Sequence, residues 1–254
     1  MTSSLGSTAN IDLSDAQLKL ERARFHIADL DAQLDTYLSS DFYRLRLEKD
    51  NNERRWNVHF ESLHKPDRTI DTVLGDAIGN LRSALDYAAV ALVYPITNKT
   101  SGTGFPFADD EAGFRGQASS SRCFGHCEQR VKDYFTDVVQ AFDGGAGHCF
   151  WVLNKLRNID KHRLLVITTS LAGVSASWKV GGVTFTDCGM AVEQGKQGVF
   201  ISAPAGSIEF TEQPRATFEV EFNEPEVIRG RSVSDFLSSA ADQVQCLLST
   251  LKTF

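Results

Sequence analysis

The 254-residue sequence has little of several things that would settle its class at once. Its five cysteines (Cys123, Cys127, Cys149, Cys188, Cys246) are too few and too scattered for a disulfide scaffold, which argues for reduced thiols and a cytoplasmic setting. Six prolines among ordinary glycine usage exclude collagen-like and low-complexity classes. No apolar run approaches the roughly 20 residues that cross a bilayer, so no membrane partner is expected. The polar start MTSSLGSTAN does not resemble a secretory signal, and the sequon at Asn98 then has no compartment in which to matter. There is no Walker loop, no G-x-G-x-x-G after a strand and no G-x-S-x-G, so no cofactor is indicated. Positive charge is also short: 26 basic against 33 acidic residues leave −7, which excludes a surface that tracks nucleic acid throughout but not a local basic patch.

What is present is mostly helical periodicity. Residues 1–10 carry none and read as a frayed tail. Ser14 and Gln17 have the spacing of a capping box, with Leu13 and Leu18 placed as a hydrophobic staple. Leu20, Ile27 and Leu34, each followed three residues later by Ala23, Leu30 and Tyr37, form the seam of a long first helix. Trp56, Val58 and Phe60 alternate with polar residues as a short strand does. After Pro66, an apolar stripe from Ile70 to Leu92 predicts a central helix stopped by Pro95. Its other face carries Asp76, Asn80, Ser83 and Tyr87, while Gly75 and Gly79 bracket a turn that a neighbour can approach closely.

Residues 97–127 look irregular, as a lid or binding segment would. Helical patterns return at 128–142 and 148–160, joined by a Gly144–Gly147 connector. Strand signals follow at 164–169, 174–180, 183–187, 199–202, 207–211 and 216–222, before Ser232 caps a final helix. The expectation is an α+β fold: a helical bundle over 11–163, an antiparallel β module over 164–228, and a C-terminal helix over 229–254 that packs on the bundle. The β portion from 172 to 226 holds 3 basic and 8 acidic residues, a net −5.

The chemistry concentrates where bundle meets sheet. WVLNKLRNIDKHRLL, residues 151–165, has four basic residues and one acidic, a net +3. Within it Arg157, Asn158 and His162 form R-N-x3-H. Arg54 and His59 also satisfy R-x4-H, and about one such match is expected by chance, but Arg55 stands second there and the segment reads as a strand. Histidine titrates near neutrality and moves protons at a 2′-hydroxyl or leaving oxygen, while an arginine fork steadies charge building on a phosphoryl group. Cleavage of RNA without a metal requires both. Five residues of helix rotate the two side chains about 140° apart, so convergence requires unwinding near Asp160 or a second copy of the motif. Alternatively, Asp160, Lys161, His162 and Arg163 form only a charged helix end favourable to the macrodipole.

The R-N-x3-H motif resembles that of the HEPN superfamily, small helical proteins that include metal-independent ribonucleases of bacterial and phage conflict systems. The resemblance implies catalytic Arg157 and His162 with Asn158 as the accompanying polar residue; Asp160, Lys161, Asn80 and Asp76 are expected as further supporting residues, in a homodimer acting on RNA. Over about residues 66–170, GDAIGNLRSALDYAAVAL, the FPF loop and LRNIDKHR are also similar to an uncharacterised family of bacterial and phage-borne proteins that pair NLRSALDH-like and NIDKHR-like segments. Tyr87 stands where that pattern has histidine, so Asp76, Asn80, Arg82 and Asp86 are expected to bond across to Asn158 or His162, or Arg82 and Asp86 to pair with each other at i,i+4. The other reading is a non-catalytic binding module for a nucleotide, a signalling molecule or a partner protein. Cys123, His126, Cys127, His148 and Cys149 include zinc-ligand types at irregular spacing, and no metal is assigned; Cys127 or Cys149 as a nucleophile would need a positioned histidine.

Overall fold

The computed structural model describes residues 11–50, 55–180, 182–191, 199–202, 208–224 and 226–254. The tail 1–10 and Arg54 lie outside them.

Helix α1 (Ser14–Leu38) buries the expected seam: Leu20, Ala23 and Leu30 are fully enclosed, and Ile27 and Leu34 nearly so. Its start differs from the predicted capping box. The N-cap position is Leu13, which offers no side-chain cap, and Asp12 before it accepts the Ser14 N–H at 3.0 Å; Gln17 turns away to donate to Gln245 Oε1 at 3.2 Å, and Leu18 is 61% exposed, so there is no staple. Two strands follow, β1 (Tyr43–Asp50) and β2 (Arg55–Ser62), paired antiparallel from Tyr43↔Ser62 to Asp50↔Arg55. Fully buried Phe42 anchors this hairpin in a ring cluster with Tyr37, Tyr43 and Phe218.

Helix α2 (Arg68–Thr97) is the spine, with Asp67 capping its Thr69 N–H at 2.8 Å. The helix runs through Pro95, because a proline there deletes one backbone bond in the last turn and Asn98, left-handed at φ 52°, ends the helix instead. The segment expected to be an irregular lid or binding loop is packed. It contains α3 (Glu111–Ala118), capped by Asp110, and sinks Phe105, Phe107, Phe114 and Phe124 into the core, where Phe105 meets Phe107, Phe135 and Phe150. Helix α4 (Gln129–Tyr134) passes into a π-helical turn (Phe135–Val139) and stops at left-handed Gln140, short of the predicted Phe142. Helix α5 (His148–Asp160) then packs on α2.

Beyond α5 the strands are β3 (Ile167–Val180), β4 (Val183–Ala191), β5 (Val199–Ser202), β6 (Ile208–Phe210), β7 (Arg215–Glu224) and β8 (Ile228–Ser232). The larger sheet runs β4-β3-β7-β8, with β6 also on β3, and all pairs are antiparallel. Two predicted strands, 164–169 and 174–180, are one long strand with a register shift between Leu171 and Gly173. β5 leaves this sheet and joins β2, giving a second sheet, β1-β2-β5. Helix α6 (Val233–Leu251), capped by the Ser232 hydroxyl, returns to α1 and α2. Its Phe236 meets Phe222 of β7 edge to face, so bundle and sheet share one core. The fold is α+β, with an antiparallel sheet preceding a C-terminal helix. Among the described residues no helix is long and apolar enough to cross a membrane.

Candidate functional site

The predicted motif lies at the C-terminal end of α5, against α2. Helical geometry persists beyond Asp160: Lys161 N–H reaches the Arg157 carbonyl at 3.2 Å, and the His162 and Arg163 amides reach Ile159 at 2.9 and 3.0 Å. The unwinding that would bring Arg157 and His162 together within one chain is therefore not present at that turn. Arg157 instead pairs with Asp160 (Nη1 to Oδ2, 2.8 Å), the two side chains 35% and 13% exposed. The pair lies on the turn marked by Gly75 and Gly79: a Cβ added at Gly75 would come 2.5 Å from Asp160 Oδ1, and one at Gly79 would come 3.5 Å from Arg157 Nε. The close approach read from those glycines is thus made, by a salt bridge.

The other motif residues separate into pairs. Lys161 Nζ donates to Asn158 Oδ1 at 3.3 Å on the exposed side. Asn80 Nδ2 donates back to the Asp76 carbonyl at 2.8 Å, and so does not cross to Asn158 or His162. Arg82 forms the i,i+4 pair with Asp86 and donates to Asn154 at 3.1 Å, while Asp86 accepts the Phe105 N–H at 3.0 Å. These two residues tie α2, α5 and the FPF loop together. His162 is exposed, and no described residue bonds its imidazole.

A contact absent from the sequence reading locks the end of this segment. Arg163 donates from both terminal nitrogens to Glu224 of β7, at 2.9 and 2.6 Å, and Glu224 Oε1 also accepts the Val166 N–H at 2.8 Å. Burial of Glu224 would raise its pKa, but the Arg163 fork and the Val166 amide outweigh that and hold it below the ordinary value. Lys155 is likewise claimed by Asp109 at 2.7 Å, which also accepts from the Trp151 indole. Counting Asp109 and Glu224 with the window lowers its charge from +3 to +1. Lys161 is its one cation without a carboxylate partner among the described residues.

The cysteine and histidine cluster does not converge: among the described residues no three His, Cys, Asp or Glu side chains are placed to hold a metal. Cys123 and Cys127 are buried and directed at the Gly104 and Leu92 carbonyls. Burial raises the Cys149 thiol to about 11, which leaves it unreactive near neutral pH.

A second candidate site, a concavity, lies elsewhere. A groove of ≈ 1010 Å³ runs between the start of α1, the last three turns of α2, the start of α4 and Phe254. Tyr87, Tyr94 and Ile96 of α2 line it and are 42%, 47% and 54% exposed, an unusual concentration of large apolar side chains on one helix end. Its charged residues are Asp12, Asp15, Asp86, Glu128 and Arg130. Arg130 is engaged by Glu128 at 2.8 Å and by the Phe254 carbonyl. Sequence reasoning missed this site because its walls come from four separated segments. The one visible signal was that Tyr94 and Ile96 extend beyond the core stripe of α2.

Comparison with protein-family models, with curated proteins and with solved structures finds no match to this chain.

Proposed function

We propose that this protein is a non-catalytic binding module whose ligand occupies the groove between α1, α2 and α4. The groove itself carries the reading: a large, apolar, partly enclosed concavity with a few polar groups has the form of a small-molecule site. Of the ligands considered from sequence, a nucleotide suits it least, since its phosphates would meet four carboxylates and one already engaged arginine. The test uses a neutral apolar fluorophore, N-phenyl-1-naphthylamine, titrated into the full chain and into Val90→Trp, which places bulk in the groove. Saturable binding that Val90→Trp abolishes supports the reading. Absence of binding, or binding unchanged in the variant, refutes it.

A second reading is favoured by the exposed imidazole of His162 beside Lys161: a metal-independent ribonuclease or RNA-targeting effector of a conflict system. In it Arg157, fixed by Asp160, and His162 act together across a homodimer, because one chain holds them on different sides of the helix end. Incubation with total RNA in EDTA, beside Arg157→Ala and His162→Ala, decides it. Cleavage that is absent, or that survives both substitutions, ends this reading.

A further inference from the structure

We infer that the groove selects an amphipathic organic cation, a ligand with an apolar body and an ammonium-type head; this rests on the groove being a binding site.

Charge complementarity is the first argument. Four carboxylates line the groove against one guanidinium. Arg130 already gives its Nε to Glu128 and an Nη2 to the Phe254 carbonyl, and its guanidinium lies 5.5 Å from the Phe254 ring centroid, so its charge is balanced and part of its donor fork is taken. Asp86 is balanced by Arg82, and Asp12 is occupied at the Ser14 N–H, but Asp15 has no partner among the described residues. An anionic head would lie beside the unpaired Asp15 carboxylate with only the already paired Arg130 to offset it, whereas a cationic head would give Asp15 the partner it lacks.

The aromatic walls point the same way. Tyr87 and Tyr94 are half-exposed in the groove, and aromatic faces attract ammonium groups through their quadrupole. The Tyr87 ring already meets one cation, the Lys19 ammonium 5.9 Å from its centroid, so Tyr94 is the groove tyrosine that no cation among the described residues meets. Val90, Ala91 and Val131 offer the apolar floor for a hydrocarbon body. The size suits a small amphiphile, since ≈ 1010 Å³ is at the upper end of sites for such ligands.

The experiment displaces N-phenyl-1-naphthylamine from the full chain with octyltrimethylammonium, octyl glucoside and octyl sulfate, each below its micellar concentration, with far-UV circular dichroism confirming that the fold persists. The ammonium is expected to bind at least about tenfold more tightly than the sulfate in low salt, with the gap narrowing as salt screens the carboxylates and in Asp15→Lys. Sulfate binding as tightly as the ammonium, or a preference unchanged in Asp15→Lys, overturns the ligand class while the fluorophore still reports a site. Failure of the fluorophore itself to bind overturns the site and the ligand class together.

Discussion

The seat of the Arg157–Asp160 pair makes a sharp prediction about two glycines one turn apart on α2. Exchanging a mid-helix glycine for alanine removes backbone freedom from the unfolded chain and gains about 0.5–1 kcal/mol where space permits. At Gly79 the new methyl would stand 3.5 Å from Arg157 Nε and 3.7 Å from Cζ, ordinary contact, so Gly79→Ala is expected to stabilise by about that amount. At Gly75 it would stand 2.5 Å from Asp160 Oδ1 and 3.0 Å from Cγ. Aspartate is short and this one is 13% exposed, so it can withdraw only by breaking its 2.8 Å bond to Arg157. Overpacking of this kind costs about 1–3 kcal/mol, which cancels or exceeds the helix gain. The two variants should therefore differ by about 1–3 kcal/mol, Gly79→Ala being the more stable. Urea denaturation of both, at unchanged m-value, measures the difference. Adding Asp160→Ala to Gly75→Ala removes the obstruction, so the pair should show coupling of similar size in a double-mutant cycle. Equal stability of the two glycine variants, or additivity in the cycle, would refute the close packing on which the site description rests.

Glu224 predicts an acid-side loss of stability. Its folded pKa lies below its unfolded one, so its contribution is complete above the unfolded value of about 4.3 and fades as pH falls through the folded value. Thermal melts from pH 7 down to 3 should show a shallower decline in Glu224→Gln than in the parent, and parallel curves would count against the clamp. Glu224→Ala also strips the Val166 N–H of its acceptor and should cost about 1–3 kcal/mol in the same denaturation assay. Thiol alkylation at pH 8, mapped by mass spectrometry, should modify exposed Cys246 well before half-buried Cys149, whose thiol burial pushes up to about 11; comparable rates would show that the α5 surface opens. If single-stranded RNA binds at the end of α5, Lys161 and Arg157 allow a slope of log K against log salt of only about −0.7 to −1.4. A filter-binding slope steeper than about −3 would place the RNA on another basic surface.

The helices were legible wherever one periodic face meets one core. The α1 seam and the stripe of α2 could be read directly because a buried face at 3.6-residue spacing admits little else. The close approach at Gly75 and Gly79 was legible for the same reason: a missing side chain on a packed face is a message about the neighbour. Ends were less so. Ser14 and Gln17 offered the residue types of a capping box, yet the helix starts at Ser14 with Leu13 at the cap position and Asp12 reaching the Ser14 amide, since which oxygen reaches a free amide depends on where the chain enters. The β1 sequence YRLRLEKD alternates like a strand, but its charged face hides it until β2 is there to pair, and IRGRS of β8 offers Ile228 as its single apolar residue, too little for an alternation to show. Of the candidate site, the segment and its 140° divergence could be worked out from spacing alone. The partners of its cations could not, because Asp109 and Glu224 lie far away in sequence and reach Lys155 and Arg163 only through the fold.

Helix α2 carries both surfaces and keeps them apart. The turn under Arg157 and Asp160 centres near residue 77 and the groove near residue 91, so about 14 residues of helix, roughly 20 Å, separate them. Changes that far apart with no shared partner add independently in most proteins. Arg82 and Asp86 stand between, but they are bonded to Asn154 and to the Phe105 amide rather than to either set of candidate residues, Asp86 alone reaching the groove wall. Val90→Trp is thus a fair control for RNA cleavage, and His162→Ala for groove binding. An activity lost in both variants would implicate the Arg82–Asp86 junction, through which α2, α5 and the FPF loop are joined, rather than either surface by itself.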